Sequence, residues 1–180
     1  YEVTPIMVGG VLYATAGLRR DVVAIDGATG ETLWMFRFDE GVRGQKAPIR
    51  PAAGRGVAFW TDGREERILY VTPGYHLIAL DATTGRPVPS FGNDGVVDLY
   101  EGLDRPTPQD GQIGLNSPPI VVRDVVVVGA ALQALAPSKD FVAGFVRGYD
   151  VRTGKRVWIF HTIPTPGEFG NDTWENDSWR

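Results

Sequence analysis

The stretch Ala24-Ile25-Asp26-Gly27-Ala28-Thr29-Gly30-Glu31-Thr32-Leu33-Trp34 decides how this chain folds. An apolar run, Val22-Val23-Ala24-Ile25, leads into an aspartate whose side chain can accept hydrogen bonds from the backbone of the turn that follows. Gly30 can take the positive φ such a turn requires. Beyond it, Leu33 and Met35 alternate with Trp34 and Phe36, the two-residue period of a strand. The segment reads as a β-hairpin whose tryptophan is placed to pack on a neighbouring unit.

The hairpin recurs. Ala79-Leu80-Asp81-Ala82-Thr83-Thr84-Gly85 is a second copy, and Gly148-Tyr149-Asp150-Val151-Arg152-Thr153-Gly154-Lys155-Arg156-Val157-Trp158 is a third. The shared pattern is small-x-Asp-x-x-Thr-Gly-x-x-x-Trp, from which the second copy departs with Pro89 at the tryptophan position and Phe91 nearby as a substitute. Two more strand candidates precede each hairpin: Pro5–Val8 and Val11–Thr15, Gly56–Trp60 and Ile68–Thr72, Pro119–Val122 and Val125–Gly129. Four short antiparallel strands per unit, repeated, are the signature of a β-propeller blade. A β-sandwich accounts for the strands but leaves the recurring tryptophan string unexplained. The predicted fold is all-β, a partial propeller over residues 1–180 with blades near 1–50, 51–116 and 117–180. Three blades do not close a ring of ~4–8. The remaining blades are expected from a longer polypeptide, in keeping with a sequence that opens in strand-like residues without Met, rather than from partner chains.

Glycine (23) and proline (13) make up a fifth of the 180 residues, against ~12% on average, which suits many short strands joined by tight turns. With 18 Lys+Arg against 22 Asp+Glu the net charge is −4, and no stretch supplies the clustered positive footprint that nucleic acid demands. Cysteine is absent, so disulfides, thiolate metal sites and a cysteine nucleophile are ruled out. No apolar run approaches the ~20 residues of a membrane-spanning helix. The acidic end (Glu168, Asp172, Glu175, Asp177) lacks EF-hand spacing, and Gly9-Gly10 is a turn signal without a phosphate-loop pattern. His76 and His161 read as strand-end residues.

Together these motifs give a sequence that resembles the quinoprotein dehydrogenases, the pyrroloquinoline quinone (PQQ) family with an eight-bladed propeller. The repeated string is similar to that family's tryptophan-docking motif. Further similar stretches are Tyr1-Glu2-Val3-Thr4-Pro5-Ile6, Arg55-Gly56-Val57-Ala58-Phe59-Trp60, Phe91-Gly92-Asn93-Asp94-Gly95, Ser117-Pro118-Pro119, Arg147-Gly148-Tyr149-Asp150 and Thr173-Trp174-Glu175-Asn176-Asp177-Ser178-Trp179. The resemblance covers the whole chain and corresponds to about the first three blades. The missing Cys-Cys pair and the form of the third motif resemble the glucose-dehydrogenase branch more than methanol or ethanol dehydrogenases.

The resemblance implies oxidation of a sugar or alcohol, glucose-type, by hydride transfer to PQQ, with Ca²⁺ or Mg²⁺ as Lewis acid. It implies Arg55 against a PQQ carboxylate, a task suited to the guanidinium fork, and Thr72 as a hydroxyl reaching the cofactor. Without the resemblance, Arg55 reads as a surface arginine in a turn and Thr72 as a strand threonine. Trp60 stands where glucose-oxidising relatives carry His. The cation-binding glutamate of alcohol-oxidising relatives has no counterpart in Gly129–Asp140, leaving Gln133 and Asp140 as oxygen donors or as solvated loop residues. The catalytic base is expected after Arg180, so no catalytic residue is assigned within this chain. A quinone or cytochrome electron acceptor and a periplasmic setting follow from the same resemblance, with a membrane anchor ahead of Tyr1 left open. The competing expectation is a non-catalytic propeller serving as a protein-binding scaffold.

Overall fold

In a computed structural model, which describes residues 3–47, 54–103, 111–132 and 142–179, the repeats form three closely similar turns. Asp26 Oδ1 accepts the N–H groups of Ala28 and Thr29 at 2.9 and 2.8 Å, Asp81 Oδ1 that of Thr84 at 2.7 Å, and Asp150 Oδ1 that of Thr153 at 2.7 Å. The repeat glycines Gly30, Gly85 and Gly154 sit at φ 76, 70 and 71°, and each N–H returns to its aspartate's carbonyl.

These hairpins are the outer halves of three antiparallel sheets, each with its strands in sequence order. Sheet 1 comprises β1 (Ile6–Val8), β2 (Val11–Ala16), β3 (Asp21–Asp26) and β4 (Thr32–Phe36); a short helix α1 (Gly41–Gln45) follows. Sheet 2 comprises β5 (Ala58–Thr61), β6 (Glu66–Val71), β7 (His76–Asp81) and β8 (Val96–Asp98). After β9 (Ile113–Gly114), sheet 3 comprises β10 (Ile120–Val122), β11 (Val125–Val128), β13 (Phe145–Asp150) and β14 (Arg156–His161), while β12 (Ala131–Leu132) pairs with β9. The four-stranded units expected from the repeats are thus present. Among the described residues no helix is long and apolar enough to cross a membrane.

The registers show why the repeat starts with a small residue and ends with tryptophan. Ala24 lies opposite Trp34, and Gly148 opposite Trp158, each beside a β-bulge at the same repeat position. Trp34 then reaches sheet 2: its Nε1 donates to the Ala82 carbonyl at 3.0 Å, and its ring covers Gly85. A Cβ on Gly85 would stand 2.5 Å from the indole, so the repeat glycine serves both the turn and the seat of its neighbour's tryptophan. Sheet 2 lacks this tryptophan, and the cause is visible in its outer strand. After a single bridge from Leu80 to Pro87 the chain loops out and resumes as β8. Gly154 of sheet 3 then rests on the Gly92 backbone and Val97, with Phe91 fully buried nearby.

Sheet 2 is buried on both faces. Ile68, Tyr70, Ile78 and Leu80 face sheet 1 in one apolar cluster, while Leu69, Val71, Leu77 and Ala79 belong to another with Val126, Val128, Tyr149 and Val151 of sheet 3. That explains the unbroken run Ile68-Leu69-Tyr70-Val71. The outer sheets keep an apolar face open: Met7 and Met35 on sheet 1, Ile120, Val122 and Phe160 on sheet 3. These are surfaces that further units of a ring would cover.

Antiparallel order gives every sheet two unlike ends. First-to-second and third-to-fourth strand turns occupy one, the turn end. Second-to-third connections and the long links between sheets occupy the other, the loop end.

Candidate functional site

Arg55 and Thr72 both lie at the loop end of sheet 2. Their strands pair as far as Ala58 opposite Leu69, three residues short of each. Arg55 is exposed, just ahead of β5, and its carbonyl accepts the Thr4 N–H at 3.1 Å. That bond joins the lead-ins of the innermost strands of sheets 1 and 2. The β5 strand also contacts β10, the first strand of sheet 3.

Thr72 has a different occupation. It is 1% exposed, its hydroxyl donates to Glu40, and the same oxygen accepts the His76 N–H at 2.9 Å. The hydroxyl expected at the cofactor is committed inside the protein, to a buried carboxylate that sequence reasoning missed. Glu40 also accepts the Gly74 N–H at 2.9–3.0 Å and the His76 Nδ1–H at 2.7 Å. Gly74 makes this contact possible, because a Cβ there would lie 2.6 Å from Glu40 Oε1. Next to it, Arg43 on α1 holds both Asp98 oxygens at 2.7 and 2.8 Å and stacks 3.5 Å from the centre of the Tyr100 ring. These bonds clamp the link after sheet 1 onto the β6–β7 connection. A cavity of ≈ 180 Å³ opens beside Glu40, lined by Leu18, Arg19, Phe38, Gly44 and Pro73. Arg55 does not line it.

A third charged group lies between the sheets. Arg20, in the β2–β3 connection, is 3% exposed, and its Nη1 donates to the carbonyls of Val71 and Leu115 at 3.2 and 2.5 Å. Its Nη2 donates to Asn116 Oδ1 at 3.0 Å. Burial pulls this guanidinium down to about 10, against the attraction of Glu40. With Oδ1 occupied, the Asn116 amide keeps its N–H donors for other partners.

Trp60 is at the turn end, where its Nε1 donates to Asp124 at 3.2 Å and Arg152 covers its ring, so it takes no part at the loop end. Gln133 and Asp140 lie outside the described residues. Among the described residues no three His, Asp or Glu side chains are grouped to hold a metal ion. Arg20, Glu40 and Asn116 carried no motif.

The family profile described as the glucose/ethanol/alcohol dehydrogenase β-propeller domain, PQQ type, matches residues 1–180. The large subunit of glycerol dehydrogenase from Gluconobacter oxydans is 35% identical over 97% of this chain and 23% of that protein. A quinoprotein glucose dehydrogenase from the same organism is 31% identical over 96% of this chain and 22% of that protein. Among solved structures, a quinohemoprotein alcohol dehydrogenase of Pseudomonas putida HK5, ADHIIG, superposes with a TM-score of 0.67 and 30% identity, covering 91% of this chain and 21% of that one. The chain therefore spans about a fifth of the length of the relatives it matches. Its three stacked sheets are propeller blades, and by profile, sequence and fold the chain belongs to the PQQ-type glucose, ethanol and alcohol dehydrogenase propeller family.

Proposed function

We propose that the full-length protein is a PQQ-dependent dehydrogenase oxidising a sugar, polyol or simple alcohol, and that this chain supplies part of its cofactor-binding end. The observation that carries this is Arg55: an exposed arginine whose carbonyl ties together the lead-ins of blades 1 and 2, just ahead of a strand that contacts the first strand of blade 3. PQQ is a flat tricarboxylate, and the charged fork of an arginine suits its carboxylates. The donor set therefore fits the group. Bound PQQ supplies a quinone carbonyl that takes hydride from the substrate carbon. Arg55 binds and orients a carboxylate. Thr72 acts one layer deeper, fixing Glu40 and His76 and so the connection behind that surface. Gln133 and Asp140 remain proposed oxygen donors to a divalent cation. A periplasmic setting and a quinone or cytochrome acceptor belong to the same proposal.

The test uses the full-length protein with PQQ and Ca²⁺, following dye reduction with glucose, glycerol and ethanol in turn. PQQ-dependent reduction with at least one is expected. No reduction with any, together with no PQQ binding, would leave a non-catalytic propeller scaffold instead. Arg55→Ala should weaken PQQ binding by about ten- to a hundredfold, taking ~1.5–3 kcal/mol for a charge-assisted bond. Unchanged affinity removes Arg55 from the site.

A further inference from the structure

Three buried arginines cross between blades. Arg67 donates to the carbonyls of Val151 and Arg152 at the turn end, and Arg147 to those of Leu99 and Glu101. Each, like Arg20, leaves a buried Nε without a partner. A buried guanidinium is costly unless its geometry serves something. Arg67 has a carboxylate at 2.6 Å, from Glu65. The hydrogen bonds described for Arg20 go only to backbone carbonyls and an amide oxygen, and it holds a non-glycine backbone at φ 56°.

The oxygens Arg20 takes are not scattered. Val71 immediately precedes Thr72, and Leu115-Asn116 is the lead-in to β10. Its stem packs on Gly54, the residue before Arg55: a Cβ there would lie 2.8 Å from Arg20 Cγ. Thr15 Oγ1 bonds the Gly54 carbonyl at 3.0 Å, fixing that segment from the same side. One side chain from blade 1 thus sets the spacing between the segment carrying Arg55 and the segment carrying Asn116.

We propose that Arg20 is a positioning residue for the cofactor-binding end, holding the lead-ins of blades 2 and 3 at the separation an anionic ligand on Arg55 requires. This rests on the PQQ reading above. The fork matters as well as the charge, because two nitrogens serve three oxygens on two segments; an ammonium has neither the width nor the plane.

The experiment is an equilibrium PQQ titration of the full-length apoprotein, followed by quenching of tryptophan fluorescence without substrate. Arg20→Met, Arg20→Lys and, as an end-swapped control, Arg67→Met are compared with wild type, with thermal unfolding recorded for each. Arg20→Met and Arg20→Lys should both raise the PQQ Kd about tenfold or more per folded molecule. Arg67→Met should lower Tm while leaving Kd within about twofold of wild type. Arg20→Lys keeps the test alive if Arg20→Met does not fold. Wild-type affinity in both Arg20 variants, or full restoration by lysine, overturns the assignment. A wild-type protein that binds no PQQ instead sinks the cofactor reading on which it rests.

Discussion

The repeat turns at one end of the sheets and the charged clamp at the other hold their charges in opposite ways. At the turn end each repeat aspartate bonds its own turn, within three residues. At the loop end the partners are remote: Glu40 and His76 are 36 residues apart, Arg43 and Asp98 are 55, and Arg20 and Leu115 are 95. Local bonds can be copied from blade to blade, and they were. Remote ones tie a particular link to a particular neighbour, so they differ at every blade and can carry a site.

The largest expected effect comes from breaking the remote set. Glu40→Ala removes the acceptor for Thr72, Gly74 and His76 and leaves three buried donors unpaired. A loss of ~3 kcal/mol is expected, as for deleting one partner of a buried charged network, read as the shift in urea midpoint. Glu40→Gln, which keeps the shape and one acceptor oxygen, should lose clearly less. Equal losses would mean that packing, not hydrogen bonding, holds the clamp.

Trp34→Ala addresses the contact that the repeats share across blades. Trp34 is half-buried, seated on Gly85 and bonded to Ala82, so about 2 kcal/mol is expected, below the 3–5 of a fully buried tryptophan. The same change at Trp158 in the full-length protein should cost a similar amount, because its open face is where a fourth blade would seat its own repeat glycine. A negligible loss at Trp158 would show that the third blade docks differently from the first.

This contrast also explains what could be read from the sequence. Asp26, Gly30 and Trp34 form one short string, and local rules plus repetition give the hairpin, the sheet order and the docking surface. Pro89 marked the departure in blade 2, and the interrupted outer strand follows from proline's missing N–H. Arg55 could be named because a glycine and an apolar strand follow it in a recognisable pattern. Arg20, Glu40 and Asn116 could not, since their roles arise only when segments far apart in sequence come together. Thr72 was expected as a hydroxyl at the cofactor, yet its partner Glu40 gives it an interior task that no spacing rule encodes.

A smaller loss is expected at the turn end. Asp150→Ala deletes the bonds to the N–H groups of Arg152 and Thr153 and to the Thr153 hydroxyl. Because that turn is partly solvated, water replaces much of what is lost, and ~1 kcal/mol is expected from thermal unfolding. A loss matching that of Glu40→Ala would erase the distinction between the ends.

The smallest effect is a difference in how the two ends respond to acid. Asp98 is partly buried, which by itself raises its carboxyl, but the bonds from Arg43, the Tyr100 N–H and the nearby charges of Arg43 and His76 outweigh this and lower it below the usual aspartate range. A carboxyl depressed in the folded state stabilises above its unfolded value, ~4, and that stabilisation is lost as pH falls through the folded value. Asp150 is also depressed, its own turn outweighing burial through the Thr153 and Arg152 bonds. Arg43→Met should therefore flatten part of the acid-side slope of stability between about pH 5 and 2, by less than ~1 kcal/mol because the pair is solvent-screened. The part due to Asp150 should persist, since it needs no distant cation. Urea midpoints measured across that range in wild type and Arg43→Met separate the two contributions. An unchanged slope would mean that Asp98 is held down by its local Tyr100 N–H alone, as self-contained as the aspartate of a repeat turn.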